Sequence, residues 1–135
     1  MPSRRILLAL ALGAFVSACG SSGSGGGNTG PSAGTLYVTY STPNTDDGAL
    51  LVKVTGGAVT AVAIDTSLKG FSRVSANGDT TMIVVAGAVK SGVVAKLSVP
   101  DTRAVLAYSG TVLQVAQAAT YAQRTVVGRS VVVSQ

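Results

Sequence analysis

Residues 35–135 repeat one pattern: short runs in which apolar and polar side chains alternate, separated by clusters of Gly, Pro, Asn, Asp and Ser. A period of two places one kind of side chain on each face of a pleated strand, whereas a surface helix needs a period near 3.6. Thr35 to Tyr40 sets Leu36, Val38 and Tyr40 against Thr35, Tyr37 and Thr39. Ala49 to Thr55 sets Leu50, Val52 and Val54 against Leu51, Lys53 and Thr55. Val93, Ala95, Leu97 and Val99 alternate with Val94, Lys96 and Ser98. Val, Thr, Ala and Ser dominate, and the chain has no Glu and no Trp. Such β-branched composition suits half-buried pleated surfaces.

The punctuation between the runs predicts where the chain turns. Ser41 to Gly48 is a turn cluster. Gly56-Gly57 predicts a hairpin into a strand from Ala58 to Ile64, and Asn77-Gly78 predicts a type I′ hairpin. Met82 to Ala86, apolar on both faces, predicts a central strand, and Lys90-Ser91-Gly92 turns it. Pro100-Asp101 stops a strand, with Asp101 placed to cap a helical turn through Ala104. Ala107 to Val115 returns to strand, and residues 116–123 read as a helical turn or a loop. Arg124 to Ser134 reads as one strand bulged at Gly128. Seven to nine short strands without a long helix predict an all-β fold, an antiparallel β-sandwich, with an up-and-down barrel as the alternative.

The first 18 residues have another purpose. Arg4 and Arg5 form a positive start, and Ile6 to Val16 is an uncharged apolar run. At 1.5 Å per residue the run falls far short of the ~30 Å hydrocarbon core, so it predicts a cleaved signal peptide and not a membrane span. Val16-Ser17-Ala18-Cys19 resembles the lipobox of bacterial lipoproteins: a branched apolar residue, two small residues, then cysteine. The resemblance implies cleavage between Ala18 and Cys19, a diacylglycerol on the Cys19 thiol, and a chain held at the bacterial cell envelope through that lipid. Ordinary signal cleavage after Ala18 is the other reading; it leaves Cys19 as a free thiol. Gly20 and Ser21, not Asp, follow the cysteine. In Gram-negative lipoproteins, which this stretch resembles, that pattern favours the outer membrane.

Residues 19–34 are almost entirely Gly and Ser after the cysteine and cannot bury apolar surface. They predict a disordered tether of roughly 20 Å r.m.s. reach. Gly25 to Gly30 fits G-x-G-x-x-G, but no strand precedes it and no helix follows, so it reads as low complexity. The remainder, 35–135, is one domain, long enough to bury a core without disulfides. It has to, since Cys19 is the only cysteine.

Asn44-Thr45-Asp46-Asp47-Gly48 leading into Ala49 to Val54, with Ile83 to Val99 and its Ser91-Gly92 turn, resembles cohesin-like and related immunoglobulin-like domains of bacterial surface proteins. That resemblance implies a binding or scaffolding module.

Catalytic chemistry has little to work with. There is no His, and the five acids are all Asp. The resemblance to lipoproteins assigns the one thiol to lipid. The usual general base, cysteine nucleophile and His/Cys metal sites are therefore missing, although a Ser/Lys pair stays open. Asn44, Asp46 and Asp47 form the one dense oxygen cluster. It is a weak calcium candidate, since D-x-D-x-D-G spacing is absent and neighbours on an extended chain point apart; an Asx-type turn closing on Gly48 is the plainer reading. Tyr37, Phe71, Tyr108 and Tyr121 are candidates for a sugar-stacking platform or for core. The basic residues are scattered, which disfavours nucleic acid. No cofactor is expected. The sequence thus predicts a lipid-anchored, non-catalytic binding or scaffold module with a protein or glycan partner. The alternatives are a structural subunit of a larger envelope complex and a small carbohydrate-binding module.

Overall fold

The computed structural model describes Gly27 and residues 29–135. Cys19, Ala18 and the signal segment lie outside them. Nine strands form in the described chain: β1 (Gly34–Ser41), β2 (Asp47–Thr55), β3 (Ala61–Ile64), β4 (Lys69–Val74), β5 (Thr80–Val89), β6 (Gly92–Val99), β7 (Ser109–Gln117), β8 (Gln123–Arg124) and β9 (Ser130–Ser134). They build two antiparallel sheets, one of order β3-β6-β1-β9 and one of order β4-β5-β2-β7-β8. The sheets pack face to face as an all-β sandwich, not the barrel.

The inward faces are those the alternation marks on β1 and β2. Leu36, Val38 and Tyr40 of β1 and Leu50, Val52 and Val54 of β2 are all buried. Leu97 and Val99 of β6, Ile83 and Val85 of β5, Val112 and Val115 of β7 and Val131 of β9 join them in a single core cluster. Burying each large apolar side chain contributes roughly 1.5–3 kcal/mol, so the two inner faces supply the driving force. On β6 the predicted face is shifted at its start. Val94 and Ala95 are both buried and Val93 is exposed, because β1 and β6 change register between Val38 and Thr39. The central strand β5 is buried on its inner face only; Met82, Val84 and Ala86 are half-buried on the other.

Two predicted turns connect differently. Gly56-Gly57 is not a hairpin centre, since β2 pairs with β5 and β7 while β3 pairs with β6 in the other sheet. The glycines carry the chain between sheets: Gly56 has φ +105, and a Cβ on Gly57 would press into the ring of Tyr108. Nor is Gly128 a bulge within one strand. With φ +76 it lies between β8 and β9, which belong to different sheets. The Asn77-Gly78 hairpin does form, joining β4 to β5. Its turn is not type I′, however: Gly78 has φ +76, whereas Asn77 is not in the left-handed region. Gly78 N–H donates to Ser75 O at 2.9 Å and Ser75 N–H to Thr80 O at 2.8 Å, which closes a four-residue loop.

The antiparallel order gives the sandwich two distinct ends, separated by the length of β1, roughly 25 Å at ~3.3 Å per residue. At the N-terminal end lie the start of β1, the 3-10 helix Thr102–Ala107 and the β4–β5 turn. Asp101 caps this helix by accepting from Arg103 N–H, and the helix runs to Ala107. Ser32 is tied here too: its N–H donates to Asp101 Oδ1 at 3.1 Å and its carbonyl accepts from Thr102 N–H at 2.8 Å. Contacts with the domain are thus made at Ser32, three residues before the expected boundary at 35. At the far end lie the Ser41–Asp46 connection and the segments around β8.

Candidate functional site

The far end is held by a cluster of charges that the sequence shows only in part. Asp47 begins β2 with its side chain fully buried, opposite Arg129, whose side chain is 2% exposed. Arg129 donates from Nη2 to Asp47 Oδ1 at 2.9 Å and from Nε to Oδ2 at 3.1 Å. Oδ2 also accepts from Tyr40 Oη at 2.8 Å and Thr42 Oγ1 at 2.7 Å. Beside it, Arg124 grips Asp46 with two bonds of 2.7 and 2.6 Å, and Gln117 Nε2 adds a third at 3.2 Å. Arg124 Nη1 also lies 3.6 Å from Asp47 Oδ1. With its amide oxygen facing inward, Asn44 accepts from Arg124 Nη1 at 2.7 Å and Arg129 Nη2 at 2.6 Å. A carboxylate saturated by a two-pronged guanidinium and two hydroxyls is the strong form of a hydrogen-bonded ion pair.

The electrostatics follow from this packing. Burial pushes the Asp47 carboxyl up, but hydrogen bonds from Arg129, Thr42 and Tyr40, with the Arg129 charge, outweigh it and hold the group at about 2. The Arg124 hydrogen bonds hold Asp46 below the usual carboxylate range. Burial pushes the Tyr40 phenol up, and the Asp47 hydrogen bonds push Arg129 up. Each of these shifts holds Asp46, Asp47, Tyr40 and Arg129 in its neutral-pH charge state. The oxygens of Asp46 and Asp47 that a cation would need are taken by guanidinium groups. Among the described residues no three His, Cys, Asp or Glu side chains converge on one point. The local turn bond comes from Thr42 and not from an Asx side chain: Asn44 N–H donates to Thr42 Oγ1 at 3.2 Å.

The four candidate aromatic residues separate. Tyr108 is buried, its ring packed on Gly57 and its hydroxyl donating to Ala58 O at 2.7 Å, so it closes the N-terminal end of the core. Tyr37 lies on the outer face of the four-stranded sheet with Lys96 Nζ 5.8 Å from its ring centre. Phe71 and Tyr121 are 67% and 71% exposed and flank the five-stranded sheet. Register places Phe71 beside Val84, Val84 beside Leu51, and Leu51 beside Gln114, in one row across β4, β5, β2 and β7. Tyr121, in the β7–β8 loop, and Gln123 line a shallow cavity of about 280 Å³ with Leu51, Val84, Gln114 and Ala116. Tyr121 has φ +54, the one non-glycine residue among those described in the left-handed region. Its N–H is held by Gln117 O at 2.9 Å. Lys53, Lys69 and Arg73 share the outer face through the same alternation, and no acid does.

Sequence reasoning singled out Phe71 and Tyr121 but not their neighbours Gln114 and Gln123. The outward face of the Leu51–Lys53 alternation was the signal that leads to this surface. Arg124 and Arg129 carried no signal, because they lie 78 and 82 residues from the acids they hold.

Comparison with known protein families, with curated proteins and with solved structures finds no match. The site must speak through its own geometry.

Proposed function

We propose that this chain is a lipid-anchored envelope protein that presents a non-catalytic β-sandwich binding module, with the outer face of the five-stranded sheet as its contact surface. The observation that carries the reading is the cavity beside exposed Tyr121, whose half-buried apolar floor no element of the described chain covers, with exposed Phe71 next to Val84 on the same face. Exposed apolar surface gathered in one place and rimmed by polar groups marks a contact site. The cohesin-like and immunoglobulin-like resemblance agrees with such a module, as does the absence of a free acid–base pair in the charge cluster.

The lipid half of the proposal rests on Val16-Ser17-Ala18-Cys19. A Gly/Ser-rich arm between Cys19 and Ser32 sets the domain near the membrane at high effective concentration for partners there. The fold points the two ends of the domain in opposite directions. Ser32 joins at one end, while Tyr121 and the Ser41–Asp46 connection lie at the other. Tyr121, at one edge of the proposed contact surface, therefore lies at the end opposite Ser32.

Two measurements in cells test the proposal. Labelled palmitate is expected on the wild type and not on Cys19→Ala, which is released from membranes. A photo-crosslinking residue at Gln123 is expected to capture a partner that the same residue at Lys96, on the opposite sheet, does not. Label on Cys19→Ala, or equal capture from both faces, contradicts it.

A further inference from the structure

We infer that the groove on the five-stranded sheet binds an acidic polysaccharide, laid across the strands from Phe71 to Tyr121. The inference rests on the binding-module reading above and gives that module a ligand class.

Four features of one surface agree. Phe71 stands three strand spacings, about 14 Å, from Gln114, with Tyr121 beyond it. Two platforms at this separation suit an extended chain and not a single small ring. Between them Leu51 and Val84 make a shallow apolar floor, and the C–H faces of pyranose rings are apolar enough to lie on it and on the two aromatic rings. The side-chain amides of Gln114 and Gln123 bond no other described residue. Each offers donors and an acceptor together, as sugar hydroxyls require. Finally, Lys53, Lys69 and Arg73 lie on the same face without an acid and without an ion-pair partner among the described residues. The two arginines at the far end, Arg124 and Arg129, are paired. Three unneutralised cations beside stacking rings call for a sugar chain that carries carboxylates.

The backbone at Tyr121 supports the assignment. A φ of +54 costs a non-glycine residue roughly 1 kcal/mol or more. The strain holds a 71% exposed tyrosine at the mouth of the cavity, where core packing gives it no purpose. A lipid surface fits the cations but not the shape, since the floor is recessed and edged by the free amides of Gln114 and Gln123, with no protruding apolar wedge.

The full-length protein in non-ionic detergent is run on native gels containing polygalacturonate, alginate or hyaluronate, with dextran as the neutral control. At least one acidic polymer is expected to retard it and dextran is not. Tyr121→Ala and Phe71→Ala are each expected to weaken retardation tenfold or more. Lys53→Gln with Arg73→Gln is expected to do the same and to reduce the salt dependence, while Lys96→Gln changes nothing. Circular dichroism melts confirm that each variant is folded, and a variant that does not fold is replaced by Gln123→Ala. Retardation by none of the three polymers overturns the inference. So does retardation that Phe71→Ala and Tyr121→Ala leave intact, since that is charge alone. Binding to phosphatidylglycerol vesicles but to no polysaccharide assigns the face to a membrane and also overturns it. If the glycan fails while the Gln123 cross-link captures a protein, the module reading stands and only the ligand class falls. If neither binds, both fall.

Discussion

Arg129 closes on Asp47 through two hydrogen bonds of 2.9 and 3.1 Å, with the carboxylate wholly buried and the guanidinium almost so. The pair joins the last connection of the chain to the start of β2, across the two sheets. It is therefore a clasp between sheets, at the end of the sandwich where the β7–β8 loop with Tyr121 lies. Removing one partner leaves a buried charge uncompensated, which costs about 3–5 kcal/mol. Arg129→Ala is expected to lower the urea midpoint by a corresponding amount. Replacing both, as Asp47→Leu with Arg129→Met, is expected to cost much less, since the apolar pair suffers no desolvation. Equal losses in the single and double variants would show that the pair is not a unit.

Acid should release the same clasp. Asp47 sits at about 2 in the fold against an unfolded value near 3.9. A depressed carboxyl stabilises fully above its unfolded value, and the contribution disappears as pH falls through the folded one. The window is therefore about pH 4 down to pH 2, and the contribution is about 2 kcal/mol. Asp46, Asp65 and Asp101 are also lowered and act in the same direction. Urea unfolding at pH 7, 4 and 2.5 is expected to show stability nearly level to pH 4 and falling below it, with Asp47→Asn less stable at neutral pH and flatter in acid. Parallel curves for the two proteins would locate the acid sensitivity elsewhere.

The fold class was legible because burial writes itself into alternation. Leu36, Val38 and Tyr40 announce an inner face whichever strand lies beside them. What alternation does not carry is which sheet a strand joins. Gly56-Gly57 looks like a hairpin centre locally, yet the chain passes to the opposite sheet there because Tyr108, fifty residues on, packs against it and bonds Ala58. The Asn44, Asp46 and Asp47 cluster was visible as a concentration of oxygens. Its meaning was not, because the arginines that fill it come from the far end of the chain. The stacking candidates show both outcomes: sequence named Phe71 and Tyr121 and could not separate them from Tyr108, since only the packed structure tells an exposed ring from a core one.

The β4–β5 turn tests how far local backbone preference matters. Gly78 has φ +76 and open space around the position of a Cβ, so a side chain there meets no steric obstacle from neighbours. Gly78→Val should then cost only the backbone term, about 1–2 kcal/mol. Asn77→Ala is expected to cost far less, because Asn77 is not in the left-handed region and its side chain bonds only exposed Asp79, at 2.9 Å. Thermal melts of the two variants decide it. A larger loss for Asn77→Ala would mean that the turn depends on that side-chain bond.

The domain's first stabilising contact is made before its first strand. Ser32 gives one hydrogen bond to Asp101 and takes two from Thr102, one from its N–H and one from its hydroxyl, so it ties the arriving chain to the capped 3-10 helix. Three bonds of about 1 kcal/mol each are at stake. In a domain of this size 1 kcal/mol moves Tm by roughly 4–8 °C. A protein beginning at Thr29 is expected to give a β-type far-UV spectrum and one cooperative melt, without lipid. A protein beginning at Thr35 should keep the spectrum and melt several degrees lower. Asp101→Ala in the longer protein removes the Ser32 N–H bond and the helix cap together, and is also expected to melt several degrees lower. Equal melting of the Thr29 and Thr35 proteins would place the edge of the stable domain at the first strand, and Ser32 would belong to the tether.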